Sequence, residues 1–251
     1  MNDTTGPLRI AAVIPALNEA PSIARVVRGL RAQTTTKLAQ IVVVDNGSSD
    51  DTAAIARAAG ATVVSEPRRG YGYACLAGVL AADADIVVLL DGDAADDPAD
   101  LPRVLAPLLD GSADLVVGSR ARGTLETGSM TPHQVFGNWL AATIMRRLYG
   151  VAVTDLGPFR AIRRADLVGL DMQEMTYGWS VEMMVKAARA GLRYHEVPVS
   201  YRRRAGGVSK VAGTLSGSVR AGWCILSTTF RYWRWTPARP VSPAAATTIA
   251  P

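Results

Sequence analysis

Asp85-Ile86-Val87-Val88-Leu89-Leu90-Asp91-Gly92-Asp93 runs five consecutive apolar residues into two carboxylates one residue apart. A strand that is apolar at every position, rather than at alternate ones, belongs to a parallel sheet covered on both faces. Neither carboxylate can follow its neighbours into the core unpaired, because an ionised carboxylate loses several kcal/mol of solvation there. At the carboxyl edge of an open α/β sheet, by contrast, ligands bind. Hard oxygen donors suit Mg²⁺ or Mn²⁺, ions commonly held by one or two carboxylates plus substrate phosphates. The stretch therefore predicts a metal–diphosphate site at Asp91 and Asp93.

Working outward, the first two-thirds of the chain alternate short apolar runs with helical patterns. Strands are predicted at Leu8–Ile14, Gln40–Val44, Ala61–Ser65, Asp85–Leu90 and Ala113–Gly118, with helices at Pro21–Gln33, Asp50–Ala59, Tyr73–Ala82 and Pro98–Leu109. Pro21 and Pro98 fit first-turn positions, and Asp50 and Asp51 precede Thr52 as helix starts do. The expected class is α/β: a Rossmann-like, mostly parallel central sheet with helices on both faces. Beyond Arg120 the pattern changes to a polar, Gly-rich loop at Gly123–Thr131, a long helix from His133 to Tyr149, a strand at Phe159–Arg163, a helix at Ser180–Ala190 and a strand at Arg193–Tyr201. Residues 1–7 and 236–251 read as disordered ends, 8–214 as the catalytic domain and 215–235 as an amphipathic helix.

Composition narrows the function. No run approaches the roughly 20 apolar residues of a membrane span, and the N-terminus lacks a signal-peptide plan. The expected location is cytoplasmic, or peripheral at the inner face of the membrane. Two cysteines and two histidines leave no disulfide framework, zinc site or His-based cage. Seven Arg or Lys and no Asp or Glu lie between Ser200 and Trp235, which favours a phosphate-bearing ligand or an anionic membrane face. No nucleic-acid motif accompanies that charge, so nucleic acid is not expected as a partner.

Two further clusters fall on the same edge as Asp91 and Asp93. Pro15-Ala16-Leu17-Asn18-Glu19 closes the first strand and Asp45-Asn46-Gly47-Ser48-Ser49-Asp50 the second. Asn18 and Asp50 suit helix caps and Gly47 a turn, but capping leaves Asp45 unexplained. Gly70-Tyr71-Gly72-Tyr73 begins like a dinucleotide fingerprint without its third Gly. It reads as a helix-entry turn, with Gly72 lining a ligand cleft.

Taken together, Val13–Glu19, Val43–Thr52, Gly118-Ser119-Arg120, Phe159–Arg163 and Arg204–Lys210, in that order, resemble the family 2 glycosyltransferases of GT-A fold, specifically the dolichol-phosphate or polyprenyl-phosphate sugar synthase branch. The resemblance implies that Pro15, Ala16, Asn18, Glu19 and Asp45 hold the nucleoside of a nucleotide-sugar donor. It implies that Asp91, Gly92 and Asp93 form the DxD element, with Asp93 the more direct ligand of Mg²⁺ or Mn²⁺. Arg204 and Lys210 would close over the diphosphate. The chain departs from the family pattern at Asn46, Ala95 and Ser180, where Asp, Gln and Asp are usual, and the block before Phe159 is one residue short.

The implied reaction is displacement at the anomeric carbon with inversion. A phosphate acceptor is largely ionised near pH 7, its second pKa being about 6, and could attack unaided beside Arg120. A hydroxyl acceptor would need a base, and Glu182 or Asp155 are the candidates. Leu215–Trp235, rich in Trp and Arg, suits peripheral contact with a membrane, and equally packing on the domain or on a second copy of the chain as a homodimer. The preferred acceptor is polyprenyl phosphate. The alternatives are a soluble small-molecule hydroxyl acceptor and, in another class, a nucleotidyltransferase. The latter expects a basic Gly-rich loop after the first strand, which Pro15–Glu19 lacks.

Overall fold

The computed structural model describes residues 7–205, 223–224 and 226–237. Its strands are β1 (Ile10–Ala16), β2 (Gln40–Asp45), β3 (Thr62–Ser65), β4 (Ile86–Leu89), β5 (Leu115–Leu125), β6 (Arg160–Arg163) and β7 (Tyr194–Tyr201). They form one sheet in the order β3-β2-β1-β4-β6-β5-β7. All neighbouring pairs are parallel except β6, which runs antiparallel to both β4 and β5.

The uniform apolarity of the central strands has a direct cause. Ala12, Ile14, Val43 and Val88 point into one core with α1 (Ile23–Arg31), α2 (Thr52–Ala58) and α4 (Leu101–Leu109). Their neighbours Ala11, Val13, Val42, Val44 and Val87 point into the opposite core with α3 (Tyr71–Ala81) and α7 (Trp179–Arg189). With both faces covered, the interior positions of β1, β2 and β4 leave no place for a polar residue until the chain passes the sheet edge. Gly78 on α3 shows how closely that packing is drawn, since a Cβ there would stand 2.4 Å from Val13 Cγ1.

The order of the strands positions the site. The chain builds outward from β1 to β2 and β3, then returns to place β4 on the other side of β1. The crevice outside the carboxyl ends of β1 and β4 is therefore a topological switch point, where open α/β sheets bind ligands. Pro15–Glu19 and Asp91–Asp93 leave the sheet side by side there.

Two expectations are corrected, and one element is new. Gly123–Thr131 is not a free loop throughout, because β5 continues to Leu125 and Thr124 and Leu125 pair with Ser200 and Tyr201 of β7. Gly123 permits this, since any Cβ would collide with the Val199 backbone at 1.9 Å. A short helix, α6 (Arg164–Gly169), follows β6 directly and was not foreseen. The C-terminal helix ends earlier than Trp235: residues 223–224 and 226–231 are helical, and a turn follows at 232–234. The long helix, α5 (Pro132–Tyr149), starts with a capping box between Thr131 and Gln134.

Candidate active site

The loops after β1 and β2 are tied to each other before any ligand arrives. Asn18, held at a φ of 55°, donates its backbone N–H to Ser48 Oγ and accepts from the Ser49 N–H. Asn18 is thus a cross-link between loops and not a cap of α1, whose N-cap is Ser22. Asp50 accepts from the N–H groups of Thr52 and Ala20, and the Glu19 N–H donates to Thr52 Oγ1. Asp45 accepts from the Ser48 N–H at 2.9 Å and remains half-exposed at the end of β2. Pro15 and Ala16 pair with Val44 and Asp45, which sets these groups at one level of the edge. Asn46 explains its own departure from the family pattern. Its amide donates to the carbonyls of Glu66 and Arg68 and accepts from the Gly70 N–H, and a carboxylate could only accept.

Asp91, Asp93 and Asp96 gather beyond β4. Asp93 is 1 % exposed; its Oδ1 accepts from the Ala95 N–H, and its Oδ2 stands 2.9 Å from Arg204 Nη2 in an ion pair without directed hydrogen-bond geometry. Arg204 also lies 4.0 Å from Glu19 Oε1, so it bridges the β1 and β4 loops. Asp91 accepts from the Tyr71 hydroxyl at 3.2 Å. Burial first, and the Asp93 charge second, push the Asp91 carboxyl up to about 7 against the pull of Arg204. Gly92, between them, packs on Ile23, Glu19 and Ile14.

Asp96 is buried with neither carboxylate oxygen accepting a full hydrogen bond. Burial and the charges of Asp91 and Asp93 hold its carboxyl well above the usual range, eased only by Arg120 and the Asp91 backbone. Asp93 and Asp96, buried with orphaned oxygens, and the partly buried Asp91 beside them share one ion-paired arginine and are an all-oxygen donor set short of positive charge. That fits a hard divalent cation. Among the described residues no three His, Cys, Asp or Glu side chains converge as a closed cage, so substrate oxygens would have to complete the shell.

Arg120 is held differently. Its backbone N–H and Nε donate to Asp155 Oδ2, its Nη2 to Asp155 Oδ1 at 2.7 Å, and its guanidinium lies 5.0 Å from the centre of the Tyr201 ring. The Asp155 N–H in turn donates to Glu196, which also accepts from Thr154 and the Tyr194 hydroxyl. Burial pushes the Asp155 carboxyl up, but Arg120 more than reverses this and leaves it below the usual value. The result is a permanent cation on a rigid bidentate mount, near enough to Asp96 to feel its charge.

Several expectations for individual residues change. Asp155 is corrected from candidate base to the support of Arg120, since its carboxylate is engaged on both oxygens. Glu182, the other candidate base, is fully buried and turned away into the framework. It accepts from the N–H groups of Gln173 and Glu174 and pairs with Lys186 at 2.7 Å, which leaves no lone pair for an acceptor. Gly72 opens no ligand cleft. A Cβ there would stand 2.6 Å from the Glu174 carbonyl and the Met175 Cα, so its smallness admits the 174–175 backbone. Lys210 lies outside the described residues. Tyr71, which reaches Asp91, was not singled out from the sequence, and its place between Gly70 and Gly72 at a helix entry was the available signal.

The family model described as Glycosyl transferase family 2 matches residues 11–169. A glycosyltransferase of Mycobacterium tuberculosis is 41% identical over 213 residues, covering 84% of this chain and 94% of its own length. A dolichyl-phosphate hexose transferase of Haloferax volcanii is 37% identical over 198 residues, with coverages of 78% and 84%. An undecaprenyl-phosphate mannosyltransferase of Micrococcus luteus is 31% identical over 223 residues, with coverages of 84% and 90%. Among solved structures, glucosyl-3-phosphoglycerate synthase from M. tuberculosis in complex with Mn²⁺, UDP and phosphoglyceric acid superposes with a TM-score of 0.72 at 25% identity, covering 92% of this chain and 80% of that one.

Proposed function

The chain belongs to glycosyl transferase family 2, with the GT-A fold, and from that premise we propose that it moves a hexose, with inversion, from a nucleoside-diphosphate sugar of GDP-mannose or UDP-glucose type to a polyprenyl phosphate. The observation that carries the acceptor is Arg120. The site offers an always-charged, bidentately mounted cation, while both expected bases are engaged in framework contacts. Such a site suits an acceptor that is already an anion. The named relatives that act on dolichyl and undecaprenyl phosphate support the same reading.

The residues divide the work. Pro15–Glu19 and Asp45 face the nucleoside. Asp91 and Asp93 would hold Mg²⁺ or Mn²⁺, which supplies neutralisation of the charge that grows on a departing diphosphate. Arg204, beside Asp93, adds positive charge to the same group, and Lys210 would join it. Arg120, with Tyr201 beneath it, holds the acceptor phosphate. Exposed Trp223, Phe230 and Trp233 support peripheral contact with the lipid surface on which such an acceptor resides. No helix among the described residues is long and apolar enough to cross a membrane.

A second reading follows from the phosphoglyceric acid of the solved neighbour: a soluble phosphorylated hydroxyl compound as acceptor. Arg120 would hold its phosphate and Asp96 would take its proton. Incubating the protein with radiolabelled GDP-mannose or UDP-glucose, Mn²⁺, and either a short polyprenyl phosphate or phosphoglyceric acid separates the two. Label in the organic phase is expected; label confined to an aqueous product favours the soluble acceptor, and no transfer from either donor to either acceptor overturns both.

A further inference from the structure

Two parts of the molecule far apart in sequence meet on one buried ion pair. Lys186 and Glu182, one turn apart on α7, are both fully buried. Glu182 fixes the backbone N–H groups of Gln173 and Glu174, and Lys186 donates to the Asp171 carbonyl. On its other side the Lys186 ammonium lies 4.7 Å from the Tyr232 ring centre and 5.0 Å from that of Trp235. The C-terminal segment is held there by further contacts: Arg189 donates to the Trp235 carbonyl, Tyr149 to the Thr229 carbonyl, and Arg231 faces Glu174 at 3.8 Å.

The 173–176 segment so fixed is the floor under the entry of α3. The Gly72 N–H donates to the Met175 carbonyl at 3.1 Å, and Gly70 and Gly72 both abut the 174–175 backbone, which a Cβ at either would strike. Between those glycines stands Tyr71, whose hydroxyl meets Asp91. Tyr71 thus has its backbone seated on a segment that the C-terminal residues help to hold, and its side chain on one of the two DxD carboxylates.

We infer that Tyr71 is a positioning residue for Asp91, and that the C-terminal segment around Tyr232 and Trp235 is a working part of the site because it clamps the support on which Tyr71 rests. The inference uses the reading of Asp91 as a metal-binding carboxylate. Hydrogen bonds to metal-ligating carboxylates orient them, and losing one costs about tenfold or more in metal affinity. The clamp acts through packed backbone rather than through a charge path, so its loss appears as mobility of 171–176.

The test uses the full chain with Mn²⁺ alone as the probe, followed by electron paramagnetic resonance, together with amide hydrogen exchange and thermal unfolding. Tyr71→Phe should weaken Mn²⁺ binding about tenfold with the Tm and the exchange of 171–176 unchanged. Trp235→Ala should speed exchange at 171–176 and 70–75 and weaken Mn²⁺ binding by a smaller factor, while the exchange of β1 and β4 stays slow. Wild-type Mn²⁺ affinity in Tyr71→Phe overturns the positioning role, and unchanged exchange at 171–176 in Trp235→Ala overturns the clamp. Asp93→Ala is the control for the underlying reading. If it binds Mn²⁺ like the wild type, the metal assignment fails, and the exchange arm still decides the clamp.

Discussion

Asp93 and Asp155 are equally buried, each 1 % exposed, and are held in opposite ways. Asp155 has an arginine in bidentate contact and a second carboxylate, Glu196, steadying its own backbone. Asp93 shares one distant-reaching arginine with Glu19 and has Asp91 and Asp96 crowded beside it. The same residue type is framework in one place and unsatisfied in the other. Burial alone therefore does not identify a functional carboxylate; the absence of adequate compensation does.

The sharpest way to break this contrast is to neutralise each aspartate. Asp93→Asn should lower transfer by about 10³-fold, as loss of preorganised charge stabilisation does, while the Tm holds or rises because a repulsion with Asp91 disappears. Asp155→Asn should cost about 3 kcal/mol of stability by leaving Arg120 buried without its counter-ion. Equal thermal destabilisation of the two variants would erase the distinction.

A metal titration examines the unsatisfied cluster directly. Saturating Mn²⁺ at about 100 times its Kd should stabilise the wild type by about 2.7 kcal/mol, and Asp93→Asn far less. The pH dependence has a definite sign. The Asp91 carboxyl, pushed up to about 7 from an ordinary 3.8, binds its proton more tightly in the folded chain than in the unfolded one. The metal-free protein should therefore lose stability as pH rises from about 4 to 7. Metal must displace that proton, so its stabilising effect should be larger at pH 8 than at pH 6. A Tm increment independent of pH would remove Asp91 from the ligand set.

The smallest effect concerns Asp166, on α6 and away from the site. Its Oδ2 has no hydrogen-bond partner, and burial, with the Asp114 charge, pushes its carboxyl up to about 6. Asp166→Asn should raise stability by about 1 kcal/mol after solvent screening, or roughly 2–4 °C, at pH 8, with no gain below pH 4. A gain at acid pH would mean that the benefit is packing and not charge.

Much of the fold could be read from residue order because parallel strands buried on both faces leave an unambiguous run of apolar residues. The placement of Asp45, Asp91 and Asp93 followed from the same logic, since a charge after such a run must lie at an edge. Glu182 was the instructive miss. In Tyr177–Glu182, where Ser180 replaces an Asp usual in the family, Glu182 is the carboxylate that is left, yet its side chain turns inward to Lys186, one helical turn on. An i,i+4 spacing is compatible with either a surface pair or a buried one. Tyr71 and Gly72 were exchanged in the same way, the glycine serving close packing and the tyrosine reaching Asp91.

Local chemistry along the chain was thus sufficient for the α/β class, the strand sequence and the level at which the acidic edge lies, because hydrophobic period and helix punctuation act over a few residues. Which carboxylates are compensated was decided only when β6 entered antiparallel between β4 and β5 and brought Asp155 to Arg120, and when α7 and the C-terminal segment closed on Lys186. For Asp155, compensation depends on a charge 35 residues away, Arg120, coming within 2.7 Å, and only packing of the whole sheet with its helices brings the two to that range.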